Sequence, residues 1–402
     1  MTLLQDQVLT VGSKRPLRSG LELFPVTILL ALQYGSLVIV PALLHRTAPE
    51  ATILSICACG IGVAFVVEAT RWPLGVRIGR QIPITWTATL WIMAVGWAAS
   101  LTGAVLGSGS YANQIGSTPT SHLVSIVTPF TYWPLIGVAL TFGLRRQGRI
   151  SSRTLWLTVG LNLILQLITV ILIAILAPLM SFALTVTFLA VLTRSIRLRW
   201  VVVAVVLIPL VWPAMYNFRN HRREAQGANV TELNRHNAGS RLRLDLEMAQ
   251  VALVPRIPDN IGQPKLGTLV RTGLLPRVFD SGRGSFNSAS GFSVATGGPA
   301  DSSDTASTLG LAYIEQGWVG IAIFAGLLSI AIGMAIRRRG PWALVALAIL
   351  IEQGAWIEAT YPDMLAAILQ GLVSLAVAMA FAQLFRSRGD VPGSARSGNG
   401  AV

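Results

Sequence analysis

The sequence predicts an all-α polytopic membrane protein with about ten transmembrane helices and one large extracytoplasmic loop. Composition is the first observation behind this prediction: 53% of the 402 residues are hydrophobic and only 12% are charged. A soluble domain carries about 25% charged residues. Patterning is the second, because the apolar residues form long blocks, and a bilayer span needs roughly 20 of them in succession.

Ten apolar blocks could form such spans. They occupy residues 23–44, 51–69, 84–107, 122–144, 154–176, 178–193, 199–216, 309–336, 341–360 and 363–385. The stretch from Thr154 to Thr193 has no charged residue and is too long for one span, since a helix of that length would extend about 60 Å, twice the hydrocarbon thickness. Ala177–Pro178 is the expected turn between two spans.

The basic residues predict which side each loop occupies. The net charge is +14, and Lys and Arg accumulate in the cytoplasmic loops of membrane proteins. The clusters Lys14/Arg15/Arg18, Arg71/Arg77/Arg80, Arg145/Arg146/Arg149/Arg153, Arg194/Arg197/Arg199, Arg337/Arg338/Arg339 and Arg386/Arg388/Arg396 all fall on one side of a ten-span chain. Both termini are therefore expected in the cytoplasm.

The same topology divides the chain into five parts. A cytoplasmic tail (1–20) precedes a membrane domain of seven spans (21–216), an extracytoplasmic loop (217–307), three further spans (308–385) and a disordered cytoplasmic tail (386–402). In the loop, Ser240–Val254 is expected to be a short helix, in which Arg241 pairs with Asp245 and Arg243 with Glu247. The Gly- and Ser-rich segment Ser281–Ser307 has the composition of a mobile lid.

The arginines of the loop suggest an anionic ligand, because guanidinium groups bind phosphate and diphosphate through paired, charge-assisted hydrogen bonds. The alternative is that they balance the acidic residues of the loop and reach towards phospholipids. The candidates for binding a diphosphate are Arg219, Arg222, Arg241, Arg277 and Arg283. His221 and His236 lie in the same loop and could carry protons.

Charged residues within the spans are a second set of candidates, since such residues are costly in a bilayer and often functional. Glu352 lies near the middle of the ninth span and could carry a proton or pair with polar groups such as Gln33 and Asn162. Glu68, at the inner end of the second span, is expected at the interface beside Arg71.

The sequence gives no sign of a metal site or a cofactor. Cys57 and Cys59 face different directions on one helix and are expected to be packing residues, and the histidines lack metal-ligand spacing.

Three segments, in this order, resemble bacterial O-antigen polymerases and O-antigen ligases, the multi-span glycosyltransferases of the C-type fold. They are "NAGSRLRLDLEMAQVAL" (Asn237–Leu253), "DSGRGSF" (Asp280–Phe286) and "STLGLAYIEQGWVG" (Ser307–Gly320). In the family the third segment opens the span after the loop and ends in Glu-x-Gly-x-x-Gly, matched here by Glu315, Gly317 and Gly320.

The resemblance implies an enzyme of surface polysaccharide biosynthesis in the cell envelope. Its donor would be an oligosaccharide on a polyprenyl (undecaprenyl) diphosphate, its acceptor a second glycan, and it would need no cofactor. The ligases carry a His where this chain has Ala306, which favours a polymerase. Asp301, Asp304, Glu315 and His221 are then the catalytic candidates. A transporter or flippase of a lipid-linked oligosaccharide, or a non-catalytic partner in an envelope assembly, is the alternative.

Cysteine labelling tests the predicted topology. In a chain with Cys57 and Cys59 replaced by alanine, a membrane-impermeant maleimide should label Val230→Cys and Ser290→Cys in intact cells, because both positions lie in the predicted outer loop. Gly148→Cys should react only after the cells are opened. Labelling of position 148 in intact cells would contradict the topology.

Overall fold

The computed structural model of the protein describes residues 20–70, 84–108, 122–225, 238–239, 243–253, 274, 292, 307–338, 340–358 and 361–385. These residues form helices and turns and contain no strand. Helices of ten or more residues are α1 Pro25–His45, α2 Glu50–Ala69, α3 Trp86–Val105, α4 Trp133–Arg146, α5 Ser152–Ile173, α6 Ala177–Leu192, α7 Leu198–Ala225, α8 Leu244–Leu253, α9 Thr308–Arg337, α10 Pro341–Gly354 and α11 Tyr361–Gln383.

The prediction of an all-α polytopic membrane protein is confirmed for the described residues. Six of their helices are long and apolar enough to cross a bilayer, namely α1, α2, α3, α5, α9 and the part Met364–Gln383 of α11. The helices α6 and α10 are apolar but shorter. The expected turn is also found, since α5 ends at Ile173 and α6 begins at Ala177. The count of ten spans stays a prediction.

Helix α4 is the centre of the bundle. Every residue from Trp133 to Leu144 is buried, and a helix that is apolar on all sides is surrounded by other helices. α4 packs mainly against α3 and α10. Helix α9 packs along α2.

Two contacts between helix ends agree with the prediction that the chain alternates between the inner and outer faces of the membrane. The Arg149 guanidinium donates to the carbonyl of Ile84 at 2.9 Å, and both residues were predicted at the inner face. Thr47 and Asp245, both predicted outside, are joined by a hydrogen bond. Which of these faces is cytoplasmic remains a prediction.

Glu68, which the sequence predicts at the membrane interface, is buried against the start of α1. Its carboxylate accepts hydrogen bonds from the backbone N–H groups of Val26 and Thr27 at 2.8 and 3.2 Å and from the Thr27 hydroxyl at 2.7 Å. The first N–H groups of a helix have no partner within it and favour negative charge. Glu68 therefore caps α1 from the end of α2. Arg71, its expected neighbour, lies outside the described residues.

Helix α1 contains a π-helical segment, Gly35–Ile39. The Val40 N–H donates to the carbonyl of Gly35, five residues earlier. Pro41 follows directly, and a proline ring within a helix clashes with the carbonyl four residues before it. The wider turn relieves this clash, and such segments are frequent at functional sites.

Helix α9 bends sharply near its start. Leu309 packs on Gly60, whereas Gly326 faces Val63 and Val67. Leu309 and Gly326 would be about 25 Å apart along a straight helix. Their partners on α2 are separated by only about 5–10 Å. The segment before the bend therefore lies beside the middle of α2.

Two glycines make this bend possible. Gly317 has φ 63° and ψ −147°, a conformation that is essentially restricted to glycine. Three residues later, a Cβ atom on Gly320 would lie 2.2 Å from the carbonyl oxygen of Ala312. Gly317 thus turns the chain, and Gly320 lets the two arms approach each other.

Alanine replacements test the bend. Gly317→Ala and Gly320→Ala should each destabilise the protein by about 1–3 kcal/mol, because one strains the backbone and the other meets a carbonyl oxygen. Thermal unfolding of the purified protein in detergent measures the effect. The matched control is Gly333→Ala, in the same helix, where an added methyl group meets no atom within 4 Å. Equal melting temperatures for all three variants would contradict the bend.

Candidate functional site

The loop helix α8 lies against the membrane helices. Leu244, Met248 and Val251 are buried, and their spacing places them on one face of the helix. This face packs against α2, α9 and the π-helical segment of α1. The expected helix at Ser240–Val254 is thus confirmed over Leu244–Leu253. It brings part of the loop to the broken segments of α1 and α9.

A buried carboxylate fixes the start of α8. Asp245 is fully buried and accepts hydrogen bonds from the Thr47 hydroxyl and from the Arg243 guanidinium, the latter at 2.7 Å. The guanidinium also donates to the Thr47 hydroxyl at 3.1 Å. The carboxylate raises the pKa of Arg243. These contacts tie α8 to the turn between α1 and α2.

This arrangement contains a charge pair that the sequence did not predict. The sequence suggested that Arg241 pairs with Asp245 and Arg243 with Glu247, as four-residue neighbours on a helix. Instead Arg243 binds Asp245, because α8 begins only at Leu244 and Arg243 stands outside the helical spacing. Arg241 lies outside the described residues.

Beneath α8, side chains of α1 hold the backbone of two other segments, and we call this group the junction: Gln33, Tyr34, Thr308, Ala355 and Ile357. The Tyr34 hydroxyl accepts from the N–H of Leu309 at 2.9 Å. The Gln33 amide donates to the carbonyl of Ala355 at 2.7 Å and accepts from the N–H of Ile357 at 3.1 Å. The junction therefore joins α1 to the start of α9 and to the connection after α10.

The start of α9 completes the junction. Ser307 caps the helix by accepting from the Gly310 N–H at 3.2 Å, as serine commonly does at this position. The Thr308 hydroxyl donates to the carbonyl of Trp356 at 3.0 Å, and its N–H donates to that of Ile357 at 2.9 Å. Backbone groups that have left regular helices are thus satisfied by protein atoms, as a membrane interior requires.

Glu315 stands at the bend of α9, two residues before Gly317. It is half-buried. Among the described residues, no hydrogen-bond or ion-pair partner of its carboxylate is found. Beside it, the rings of Tyr313 and Trp318 pack edge to face across the bend at 5.0 Å between centroids. Of the four catalytic candidates, the structure describes only Glu315 and His221. Glu315 lies on α9, the helix whose first residue, Thr308, belongs to the junction.

Glu352 is a carboxylate within α10. Its Oε2 atom is buried and has no hydrogen-bond partner among the described residues. Two of the polar residues expected to pair with it have other hydrogen-bond partners. Gln33 belongs to the junction, and Asn162 accepts a hydrogen bond from the Trp97 indole at 2.6 Å.

The arginine candidates at the end of α7 have structural contacts. This helix extends to Ala225, nine residues into the predicted loop. There Arg222 donates to the carbonyl of Ile171 at 3.4 Å and Arg223 to that of Ala174 at 3.1 Å. The last carbonyls of a helix lack partners within it, so these two arginines cap the end of α5. Arg222 thus has a structural role that its assignment to diphosphate binding did not foresee.

Arg219 and His221 lie in the same turn of α7. The Arg219 guanidinium stacks on the Tyr216 ring at 4.2 Å and donates to the side chain of Asn220 at 2.8 Å. It is buried, and both of these partners are uncharged. The side chain of His221 is 81% exposed, and its Nδ1 atom lies 3.9 Å from the Glu224 carboxylate.

The described candidates therefore form two groups. Arg219, Arg222 and His221 lie at the end of α7, and Glu315 lies on α9. The remaining candidates are outside the described residues, namely Arg241, Arg277, Arg283, His236, Asp301 and Asp304. Sequence reasoning missed Tyr34, and it placed Asp245 in a helical charge pair without predicting its contact with Thr47. A signal for the first existed in "QYGS" (Gln33–Ser36), which interrupts the first apolar block with polar and small residues.

Comparison of the chain with protein-family models, with characterised proteins and with solved structures gave no match. The resemblance to O-antigen polymerases and ligases therefore rests on the three segments and their order. Of these, the structure describes the whole of the third, Ser307–Gly320, and residues 238–239 and 243–253 of the first.

Proposed function

We propose that the protein is a membrane glycosyltransferase that polymerises or transfers an oligosaccharide carried on a polyprenyl diphosphate, on the extracytoplasmic side of the bacterial inner membrane. The observation that carries the proposal is the position of Glu315. Its half-buried carboxylate stands at a bend that is built by the glycines of the family-like motif. Broken helices within membranes commonly form binding sites.

In the proposed reaction, a hydroxyl oxygen of the acceptor sugar attacks the anomeric carbon of the donor. The bond between that carbon and the diphosphate oxygen breaks, and the lipid diphosphate leaves with the bonding electrons. Glu315 takes the proton of the attacking hydroxyl. A carboxylate within hydrogen-bonding reach of that proton contributes about 10²–10⁴-fold to such a step.

Negative charge grows on the diphosphate as the bond breaks, and fixed positive groups stabilise it. Arg219 suits this role, because an aromatic ring and an amide hold its guanidinium in place. Arg241, Arg277 and Arg283 remain proposed partners from the sequence. Arg222 is the weaker candidate, since its Nε–H already caps α5. Asp301, Asp304 and His221 remain alternatives for the base.

A transporter or flippase of a lipid-linked oligosaccharide is the second candidate function. The observation that favours it is the buried Oε2 atom of Glu352, which has no hydrogen-bond partner in the part of the chain that the structure describes. An ionisable group of this kind among apolar helices is typical of proton relays in transporters. On this alternative Glu352, and not Glu315, would be essential.

Conservative replacements distinguish the two functions. In a deletion strain, Glu315→Gln should shorten the surface glycan to about one repeat unit, because the amide keeps the shape of the side chain but cannot accept the proton. Glu352→Gln should leave the chain length normal. Glu358→Gln, which replaces a carboxylate after α10, is the matched control.

The readouts are glycan length on a gel and the amount of protein in the membrane. Normal glycan length from Glu315→Gln at normal expression would remove Glu315 from the reaction. Loss of all surface glycan from Glu352→Gln, with lipid-linked substrate retained on the cytoplasmic side, would favour the transporter.

A further inference from the structure

Helices α4 and α10 are too short to cross a bilayer, and they break off at the same level of the bundle. Each has 14 residues and is about 21 Å long, whereas the hydrocarbon core of a bilayer is about 30 Å thick. A Cβ atom on Gly143, near the end of α4, would lie 2.7 Å from the Cα atom of Pro341, the first residue of α10. Arg145 and Arg337 flank this contact and place it at the predicted inner face. The start of α4 and the end of α10 therefore lie about 15–20 Å from that face, near the middle of the membrane.

The chain leaves the helical pattern at both of these ends. Before α4, the short helix His122–Val127 is followed by a 3₁₀ turn, Thr128–Phe130. Pro134 has no N–H group, so it cannot supply the hydrogen bond that a continuous helix would make to the carbonyl four residues earlier. After α10, Gln33 accepts a hydrogen bond from the N–H of Ile357 at 3.1 Å, and this N–H therefore does not extend the helix. Breaks of this kind occur within membranes where the chain is covered by protein or lines a polar cavity.

The break before α4 lies beside Glu352. The Tyr132 ring and the Ile349 side chain pack at the same glycine of α11, since a Cβ atom on Gly371 would lie 3.5 Å from the ring and 2.6 Å from Ile349. Glu352 follows Ile349 by three residues and shares its face of α10. Its carboxylate is close enough to the Tyr132 hydroxyl for the two groups to interact electrostatically. Helices α4, α10 and α11 thus meet around this pair of side chains.

Polar side chains at this level are buried without a partner. Among the described residues, the buried side-chain atoms that make no hydrogen bond are Trp133 Nε1, Ser329 Oγ, Glu352 Oε2 and Trp356 Nε1. Trp133 begins α4 and Trp356 follows α10. Ser329 adjoins Leu328, whose side chain would lie 3.0 Å from a Cβ atom on Gly354, the last residue of α10. Buried polar atoms in proteins nearly always have partners, and a group of exceptions indicates bound water, an ion or another ligand.

The charge at this level is negative. The helices that pack against α10 are α4, α6, α9 and α11. Their only basic residues are Arg145, Arg146 and Arg337, which lie at the predicted inner ends, about 15 Å or more from Glu352 along the helices. Their acidic residues, Glu315 on α9 and Asp363 at the start of α11, would add negative charge. An ionised carboxylate among apolar helices needs a positive partner, and the neighbouring helices do not supply one.

We propose that Glu352 and the break before α4 bind a monovalent cation such as Na⁺ or K⁺. The carboxylate supplies the balancing charge, and the Tyr132 hydroxyl and the main-chain carbonyls of the break supply further oxygen atoms, the ligands that hard cations prefer. Broken membrane helices hold cations in this way near the middle of the bilayer. The unpaired indole N–H groups and the Ser329 hydroxyl suit water molecules around the ion. A divalent ion is disfavoured because the site has a single carboxylate. The proposal makes no use of Glu315 and goes beyond the proposed glycosyl transfer.

Equilibrium binding of radioactive sodium and rubidium ions to the detergent-purified protein, in choline chloride at fixed pH, tests the proposal. Rubidium stands in for K⁺. The wild-type protein should bind at least one of the two ions at a single saturable site. Glu352→Gln should weaken this binding more than about tenfold, because it removes the charge that pairs with the ion. Tyr132→Phe, which keeps the ring and removes only the hydroxyl, should weaken it less. Glu358→Gln is the matched control and should bind as the wild type does.

The melting temperature of the wild-type protein gives a second measurement that needs no variant. It should rise when sodium or potassium chloride replaces choline chloride at constant ionic strength, since a bound ion stabilises the folded state. The absence of saturable binding of either ion overturns the proposal, and so does undiminished binding by a folded Glu352→Gln variant. A melting temperature that responds to pH but is equal in all three salts would assign Glu352 to a proton and contradict the cation site.

Discussion

Two neighbouring side chains of α1, Gln33 and Tyr34, hold the parts of the structure in which the chain leaves regular helices. Tyr34 binds the first turn of α9, and Gln33 binds both backbone groups exposed after α10. A bilayer offers no water to such groups, and each one left without a partner costs several kcal/mol. The bend of α9, the placement of Glu315 and the docking of α8 all depend on the hydrogen bonds of Gln33 and Tyr34.

Much of the fold could be predicted because long apolar blocks and basic clusters are local signals. The apolar blocks form helices near the expected positions, including the division at Ala177. The basic clusters predicted which helix ends share a membrane face, and the contacts between helix ends agree with that prediction. The loop helix was predicted as well, from its composition. Gly317 and Gly320 were identified as a motif, although their physical role, a backbone conformation restricted to glycine and a close approach to a carbonyl, became evident only from the structure.

The contacts of the candidate residues were less predictable, because they join residues far apart in sequence. Glu68 caps the helix that precedes its own, and Arg222 caps a helix some fifty residues earlier. In sequence both resemble interfacial charges or ligands. Asp245 was predicted to pair with Arg241, which lies outside the described residues, and its described partner is Arg243, which stands one residue before α8 starts. Charged residues near membrane surfaces can therefore serve to bind the unpaired backbone groups at helix ends. A functional assignment is stronger for a residue such as Glu315, whose carboxylate makes no contact of this kind among the described residues.

Cross-linking of α9 to α2 tests the central claim, that the segment before the bend starts beside the middle of α2. In a chain with Cys57 and Cys59 replaced by alanine, Gly60→Cys and Leu309→Cys should form a disulfide on mild oxidation, since a Cβ atom at position 60 would lie 2.6 Å from the Leu309 side chain. A straight span beginning at position 309 would instead place it near Thr52, about 12 Å away along α2. A disulfide between Thr52→Cys and Leu309→Cys, with none between positions 60 and 309, would contradict the account.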